Sequence, residues 1–360
     1  MLLQQSPSAV ALIDVRVHQP PDLAKHLERL QAYAGRAAPG SLGHRQLDWL
    51  LVLQQGLGHT PYCLEVVREG KTRGLLGLAY VKSLLFGRFL VSLPYVNYGG
   101  VLADDDEAAG RLIERAVQLA DELGVRFLEL RQERAISHPA LTTRANGKVH
   151  MRRPLPGSPE ELWKQLDGKV RNQVRKGQKS GLTVTWGGVD LLSEFYAVFS
   201  HNMRDLGTPV YPRRLFRAVL EQFPGQAELC VVRTGGAAAA AALVLHGRGV
   251  TEVPSASSLR QYNKTCANML MYWHLLERAV QRKQAVFDFG RSTPGSGTYG
   301  FKEQWGAAPS PAEWQYYMRR GTVTDMRPDN PRYQRLIRLW QRLPVWLTRL
   351  IGPAIVRGIP

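Results

Sequence analysis

The residues whose types and spacing could do chemistry are densest in one block, FDFGRSTPGSGTYGFK (287–302). It sets a carboxylate, Asp288, inside an apolar strand-like run that enters a glycine-rich loop. Ligands of α/β proteins bind outside the carboxyl ends of strands, so Arg291, Ser292, Tyr299 and Lys302 are expected to converge with Asp288 there. A structural ion pair between Asp288 and Arg291 is the alternative. The Asp-Phe-Gly string also occurs in kinases, but no glycine-rich nucleotide loop or His-Arg-Asp string accompanies it, so that reading is set aside.

Two other segments carry polar groups at turns. LPYVNYGG (93–100) ends an apolar run with Asn97 and Tyr98, which offer hydrogen bonds, and with glycines that permit close backbone approach. A plain turn is the competing explanation. Asp104 to Asp106 resembles a metal-binding acidic triplet, but fits better as the acidic first turn of a helix over 106–123, where it opposes the helix dipole. The nine histidines show no metal-ligand spacing, so no metal is expected. Tyr211, Tyr262 and Trp273 read as core aromatics rather than as the lining of a cleft.

The net charge of +17 is concentrated rather than general. Residues 164–179 hold Lys164, Lys169, Arg171, Arg175, Lys176 and Lys179 against Asp167, a balance of +5. Residues 331–360 hold six arginines and no acid, a balance of +6. Arg171, Arg175 and Lys179 fall at i, i+4 and i+8, one face of a helix. Guanidinium forks match phosphate oxygens, so Arg171, Arg175 and Lys176 are expected to bind an anionic substrate rather than form a merely solvated face. In the tail, Leu336, Leu339, Trp340 and Leu343 share a helical face apart from Arg335, Arg338 and Arg342. Trp and Arg together suit a membrane–water interface with anionic lipid, against the alternative of a helix packed on the body. Pro344 and Pro353 break the tail into pieces too short to span a bilayer.

The elements that must position these residues recur in one order. Strands are predicted at 61–67, 74–81 and 89–96, a helix over 106–123 and a strand over 125–131. Strands at 227–233, 237–247 and 249–258, a helix over 268–283 and a strand over 285–292 repeat that order. Glu129 and Asp288 occupy matching places, which argues for an internal duplication. Ala237–Ala242 is helical by propensity, but Gly235 and Gly236 before it favour a hairpin and a strand. Helices over 159–166, 189–206 and 212–223 connect the units, with Asp190 a candidate cap, and 312–319 is a last strand. The sum is an α/β chain with mixed sheets in two similar halves, a helical connection and a C-terminal amphipathic tail. Its composition, 44% apolar and 21% charged, suits a globular core. The dispersed cysteines Cys63, Cys230 and Cys266 fit buried free thiols in a reducing cytoplasm. The N-terminus does not read as a signal peptide.

LPYVNYGG, KVRNQVRKGQKSGL (169–182), MRDLGTPVYP (203–212), NMLMYWHLLERA (268–279) and FDFGRSTPGSGTYGFKEQWG (287–306) carry a family resemblance. The chain resembles tandem GNAT-fold acyltransferases of the FemABX peptidoglycan-bridge group, and within it the FemAB-like proteins of exosortase (PEP-CTERM) exopolysaccharide systems. The resemblance implies GNAT-like halves over 10–153 and 154–320, the second with the basic helix 168–180, followed by an interfacial tail over 331–360. It implies transfer of an acyl or aminoacyl group onto an amine of a lipid-linked or sugar-linked envelope precursor. For that reaction Asp288 would take or orient the amine proton, and Arg291 or Lys302 would face the oxyanion or a phosphate. Arg171, Arg175, Lys176, Asn97, Tyr98, Ser292 and Tyr299 would bind substrate. No tightly bound cofactor is expected. The donor is aminoacyl-tRNA or acyl-CoA, and Arg260–Thr265 lacks the glycines of a pyrophosphate loop. The expected partners are a lipid-linked or nucleotide-linked anionic substrate, an anionic membrane surface and tRNA as a donor carrier, but not DNA. The expected location is peripheral at the inner face of the plasma membrane. An acetyl-CoA-dependent N-acetyltransferase and a non-catalytic membrane- or RNA-binding scaffold are the alternatives. Reversing Arg171 and Arg175 to Glu should weaken binding of the anionic substrate steeply at low salt, read as Kd against ionic strength. An unchanged Kd would reject the assignment.

Overall fold

The structure, a computed structural model, describes residues 13–37, 42–83, 85–320 and 331–359. Strand β1 (Ile13–His18) and helices α1 (Asp22–Ala37) and α2 (Gln46–Leu57) precede a meander of β2 (Thr60–Arg68), β3 (Lys71–Ser83) and β4 (Gly87–Val91). The short β5 (Leu102–Ala103) pairs beside β3, and α3 (Asp106–Glu122) crosses to β6 (Phe127–Gln132), parallel to β4. Strand β7 (Thr142–Pro154) leads into α4 (Pro159–Gln165), α5 (Gly168–Lys179), β8 (Thr183–Gly187), α6 (Leu192–Leu206) and α7 (Arg213–Gln222). A second meander follows, β9 (Ala227–Thr234), β10 (Ala237–Gly247) and β11 (Val250–Ser258). Helix α8 (Ala267–Gln281) crosses to β12 (Val286–Ser292), parallel to β11. Helix α9 (Gly297–Glu303), β13 (Ala308–Met318) and the tail helices α10 (Pro331–Arg342) and α11 (Val345–Val356) complete the chain.

All strands join one sheet, in the order β1-β2-β3-β4-β6-β13-β7-β12-β11-β10-β9-β8, with β5 beside β3. Each half is thus a meander, a crossover helix and a parallel strand. The register aligns the repeat: Val91 lies opposite Glu129 in the first parallel pair, and Glu252 opposite Asp288 in the second. At the seam the connectivity crosses over. Strand β7, which follows the first half, pairs with β12 of the second, while the last strand, β13, pairs with both β6 and β7.

Local chemistry explains the main elements. Helix α3 starts where Asp105 accepts a hydrogen bond from the Ala108 amide, and Asp106 and Glu107 then meet the positive end of its dipole. Its buried stripe, Ala108, Leu112, Ile113, Ala116, Leu119 and Ala120, covers the first half of the sheet. Gly124, at φ +61, ends it. Helix α8 covers the other half and is buried along most of its length. Helices α1, α2, α6 and α7 share a third core that spans both halves. Strand β10 is the alanine run; Gly235 and Gly236, both at positive φ, turn the chain into it. Helices lie on both its faces, and alanine lets them approach: Ala239, Ala240 and Ala242 pack into one core and Ala241 into another.

Three expectations need correction. The strand predicted over 89–96 stops at Val91, and Leu93 and Tyr95 take left-handed φ values of 56° and 70°. Pro94 has no amide to give a ladder, and the segment leaves the sheet as a loop. Asp190 does not cap α6; its Oδ1 accepts from the Gly188 amide, in a tight turn before the helix. Cys266 is only half-buried, unlike Cys63 and Cys230. The polar, Pro-containing run Asp325–Pro331, which reads from the sequence as a linker to the tail, lies mostly outside the described residues.

The tail helices pack on the body. Arg349 Nε donates to Ser200 Oγ at 2.7 Å, Arg204 Nη1 to the Leu343 carbonyl at 2.9 Å, and the Tyr95 hydroxyl to the Val356 carbonyl at 3.2 Å. A Cβ on Gly352 would stand 2.8 Å from the Val210 amide nitrogen, so only glycine fits there. Gly352→Val is therefore expected to lift α11 from the body. Limited trypsin digestion should then cleave within 331–359 faster than in wild type; an unchanged rate would show that this contact does not hold the tail.

Candidate active site

Strands β11 and β12 pair only from Val250/Val286 to Glu252/Asp288, yet β11 continues to Ser258 and β12 to Ser292. They part just beyond the two carboxylates. The loop 92–100, from the other half, reaches across to Asp288 with Tyr98 and to Arg291 with Asn97. Gly290, at φ +75, sits at a register shift between Asp288 and Arg291; a Cβ there would lie 3.2 Å from Asn97 Nδ2. Both the backbone conformation and the approach of the loop require glycine.

Asp288 is the hub. Its Oδ2 accepts from the Tyr98 hydroxyl and from Arg152 Nε at 2.9 Å, and its Oδ1 from the Gly290 amide at 2.7 Å. Arg152 turns its Nη2 to Glu133 at 2.7 Å. Burial and the Asp288 charge push the Tyr98 phenol well above its ordinary value. Burial alone would lower the Arg152 guanidinium, but Tyr98, Asp288 and Glu133 together raise it. The expected alternative, an Asp288–Arg291 ion pair, is not what forms. Arg291 Nε donates to Asn97 Oδ1 at 2.9 Å, and its guanidinium lies 3.8 Å from the centroid of Trp314. Burial and the neighbouring Arg131 lower Arg291 to about 10. Lys302 Nζ donates to the carbonyls of Gly290, at 3.1 Å, and Arg291, at 2.9 Å; burial lowers it to about 8.

Two further groups complete the cluster. The His150 ring stacks on Tyr98 with centroids 4.3 Å apart. Burial and the cations Arg152, Arg291 and Lys302 lower it to about 3, so it is neutral at physiological pH. Neither of its nitrogens has a protein partner, nor have the buried hydroxyls of Ser292 and of Ser310, the residue opposite His150 on β13. Glu252, opposite Asp288, is raised to about 7 by burial, despite Arg45 Nη1 at 3.1 Å and with the charge of Asp288 adding to the rise. The cluster meets solvent at Asn97, Arg152 and Arg291, all half-buried.

The equivalent place in the first half is plugged. Glu129 pairs with Arg131 at 2.7 Å, and Arg131 donates to the carbonyls of Val96 and Leu93. The Ser92 amide donates to the Glu129 carbonyl and the Gly99 amide to that of Arg131. The loop 92–100 thus fills the gap beside β6 that stays open beside β12.

Of the expected site residues, Asp288, Arg291, Lys302, Asn97, Tyr98 and Ser292 come together. Arg171, Arg175 and Lys176 lie on α5, whose Val170, Val174 and Gly177 pack toward α8. Arg171 reaches the Lys164 carbonyl, while Arg175 reaches Asn172 and lies over the Trp163 ring, so neither joins the Asp288 cluster. The Tyr299 ring packs on the core of the second half. Sequence reasoning missed His150, Arg152, Glu133, Glu252 and Arg45, and with them strand β7. The signal was the alternation VHMRR (149–153): Met151 enters the core, while His150 and Arg152 face the cluster. His18, Asp22 and His26 bring ligand atoms within 4.8 Å of one another, a grouping not expected from the sequence, but the nitrogens of His18 already meet Asp22 and Glu65. Two clefts, of about 550 and 450 Å³, lie elsewhere, one beside the tail between α6 and the start of α11 and one beside His246 and Arg282.

The polar cluster at a parting of parallel strands, next to a crossover helix, lies within a segment of known type: residues 165–303 match the model of the acetyltransferase (GNAT) domain family. Residues 165–303 are thus similar to a GNAT acetyltransferase domain. Asp288, Arg291, Ser292 and Lys302 fall inside that segment, and Tyr98 and Arg152 reach it from outside. FemX shares the fold at a TM-score of 0.61, with 15% identity over 86% of this chain and 98% of its own. The L-PGS structure from Bacillus licheniformis shares it at 0.54, with 13% identity over 90% of this chain and 96% of its own. A tandem GNAT protein from the clavulanic acid biosynthesis pathway stands at 0.53, with 10% identity over 86% and 100%. No curated protein matches the chain. Among the described residues no helix is long and apolar enough to cross a membrane.

The depressed Lys302 amine has a measurable consequence. Between its folded value of about 8 and its ordinary 10.5, the unfolded chain binds the extra proton, so Lys302 contributes a rise in stability with pH across that window. Lys302→Met should remove the rise, seen as the difference between wild-type and mutant denaturation midpoints at pH 7 and pH 10. A pH-independent difference would refute the shift.

Proposed function

We propose that the chain transfers an acyl or aminoacyl group onto an amine of a lipid-linked or sugar-linked envelope or exopolysaccharide precursor, forming an amide. The observation that carries the reading is the buried Asp288–Tyr98–Arg152 cluster, set with Arg291, Lys302, His150 and Glu252 where the strands of the GNAT domain part. The likeness in fold to FemX and to L-PGS, and the FemABX motifs in the sequence, support the choice of acceptor class.

Amide formation requires the amine to lose a proton and the carbonyl oxygen to gain charge. Both oxygens of Asp288 are already engaged, which suits an anchor that fixes Tyr98 and Arg152 better than a free base. Glu252, raised to about 7, is the carboxylate poised to accept a proton near neutral pH, among Arg45, Asp288, Arg152 and Tyr98. Arg291 and Lys302 provide the positive charge for an oxyanion or a donor phosphate. His150 and Ser292, without protein partners, are open to hydrogen bonds from substrate.

The donor is an acyl-CoA, as used by GNAT domains, or an aminoacyl-tRNA, as the FemABX resemblance suggests. The approach to α8, Arg260–Thr265, is a tight turn with two cations and no glycine, which favours the second. The family match favours the first, with an N-acetyltransferase of a small or sugar amine as the accompanying reading. A ligand bound only by the native state at a hundred times its Kd adds about 2.7 kcal/mol of stability. Thermal shifts with acetyl-CoA and with aminoacyl-tRNA therefore separate the donors; a shift with neither would speak for a scaffold without chemistry. Asp288→Asn keeps the shape of the side chain and should lower the transfer rate by about 10²-fold through misplacement of Tyr98 and Arg152, with products followed by mass spectrometry of lipid-linked glycans. A folded, fully active mutant would refute the site. Glu252→Gln should abolish the limb of the pH–rate profile near 7, which a purely structural residue would leave in place.

A further inference from the structure

Among the described residues, exposed large apolar side chains are concentrated on and beside the tail. Eight large apolar side chains are exposed among the described residues, and five of them, Leu336, Leu339, Trp346, Leu350 and Ile359, belong to the tail. Leu336, Leu339, Trp346 and Leu350 are each 60–70% exposed. Two of the other three adjoin the tail: Leu206 precedes Gly207, which touches Ile337, and Leu85 lies two residues beyond Ser83, on which Gly358 packs.

Helical geometry shows that this exposure is directional. At 100° per residue, Ile337 and Gln341 fall on the side of α10 that meets Gly207 and the Asp205 carbonyl. Leu336 and Leu339 fall on the side turned away, and Arg335, Arg338 and Arg342 form the strip beside them. In α11, Thr348, Gly352 and Val356 are buried against the body while Trp346 and Leu350 point outward. The tail is held in this orientation by Arg349, Arg204 and Tyr95. Arg335, Arg338 and Arg342 have no carboxylate partner among the described residues, and residues 331–360 contain no acid.

From this we infer that the outer face of α10 and α11 docks on a bilayer that contains anionic phospholipid. Trp and Leu side chains beside a row of guanidiniums match the acyl boundary and the phosphate layer of such a surface. A second copy of the chain fits less well, because a two-fold contact through this face would set the arginine strips of two molecules against each other.

The test is flotation of the full chain with vesicles of phosphatidylcholine alone or mixed with phosphatidylglycerol. The wild type should float with the mixed vesicles and remain behind with the neutral ones. Replacing Leu336, Leu339, Trp346 and Leu350 by Ser should reduce partitioning about tenfold or more, as should replacing Arg335, Arg338 and Arg342 by Gln. Their exposure predicts unchanged melting temperatures for both variants. A wild type that stays in solution with the anionic vesicles, or variants that float as well as wild type, would overturn the inference. A dimer in light scattering that the same substitutions dissolve, with no vesicle binding, would assign the face to a second copy and overturn it equally. No donor or acceptor enters this measurement, so its failure would leave the transferase reading untouched.

Discussion

One buried negative charge, on Asp288, sets the geometry of the seam. It is shared by a phenol from the first half, a guanidinium from the joining strand and the backbone amide of Gly290. Each donor satisfies part of a charge that would otherwise be costly to bury, and breaking one side of such a pair costs about 3–5 kcal/mol. The carboxylate therefore does two jobs. It keeps the loop 92–100 seated on the second half, and through that loop it fixes Asn97, which in turn holds Arg291. Arg45, donating to the neighbouring Glu252, ties the first half to the same spot from another direction.

The two halves use their equivalent places differently. Both halves put a carboxylate at the last paired position of their parallel strands, with an arginine beside it. In the first half the arginine binds the chain's own loop and closes the gap. In the second half the gap is left to a cluster that meets solvent and retains polar atoms without protein partners. The loop that seals the first place supplies Tyr98 and Asn97 to the second.

Much of this was legible in the chain. The repeat of strand, turn, strand, strand, helix and strand follows from periodicity, and the equivalence of Glu129 and Asp288 from their placement in FLEL and VFDF. The alanine strand was readable because two glycines turn the chain into it. What escaped has a common cause: it depends on long-range pairing. His150 and Arg152 acquire meaning only when β7 is laid against β12, and VHMRR carries too many charges to advertise a central strand. Glu252 sits in a run that reads as an ordinary strand, and its partner Arg45 is 207 positions away. In the other direction, the density of charge in α5 drew attention to arginines whose contacts are with their own neighbourhood.

The crossed connectivity at the seam has a consequence for how the chain is made. Strand β6 is complete at Gln132 and β7 at Pro154, yet the strand that lies between them, β13, ends at Met318. During synthesis both strands present open edges until more than 160 further residues have been added, and open edges are templates for pairing with the wrong chain. The middle of the sheet is thus the last part to close. Neither half can be finished as a separate folding unit, and a ribosome that stalls before residue 308 would release a protein with a gap at its centre rather than a shortened one.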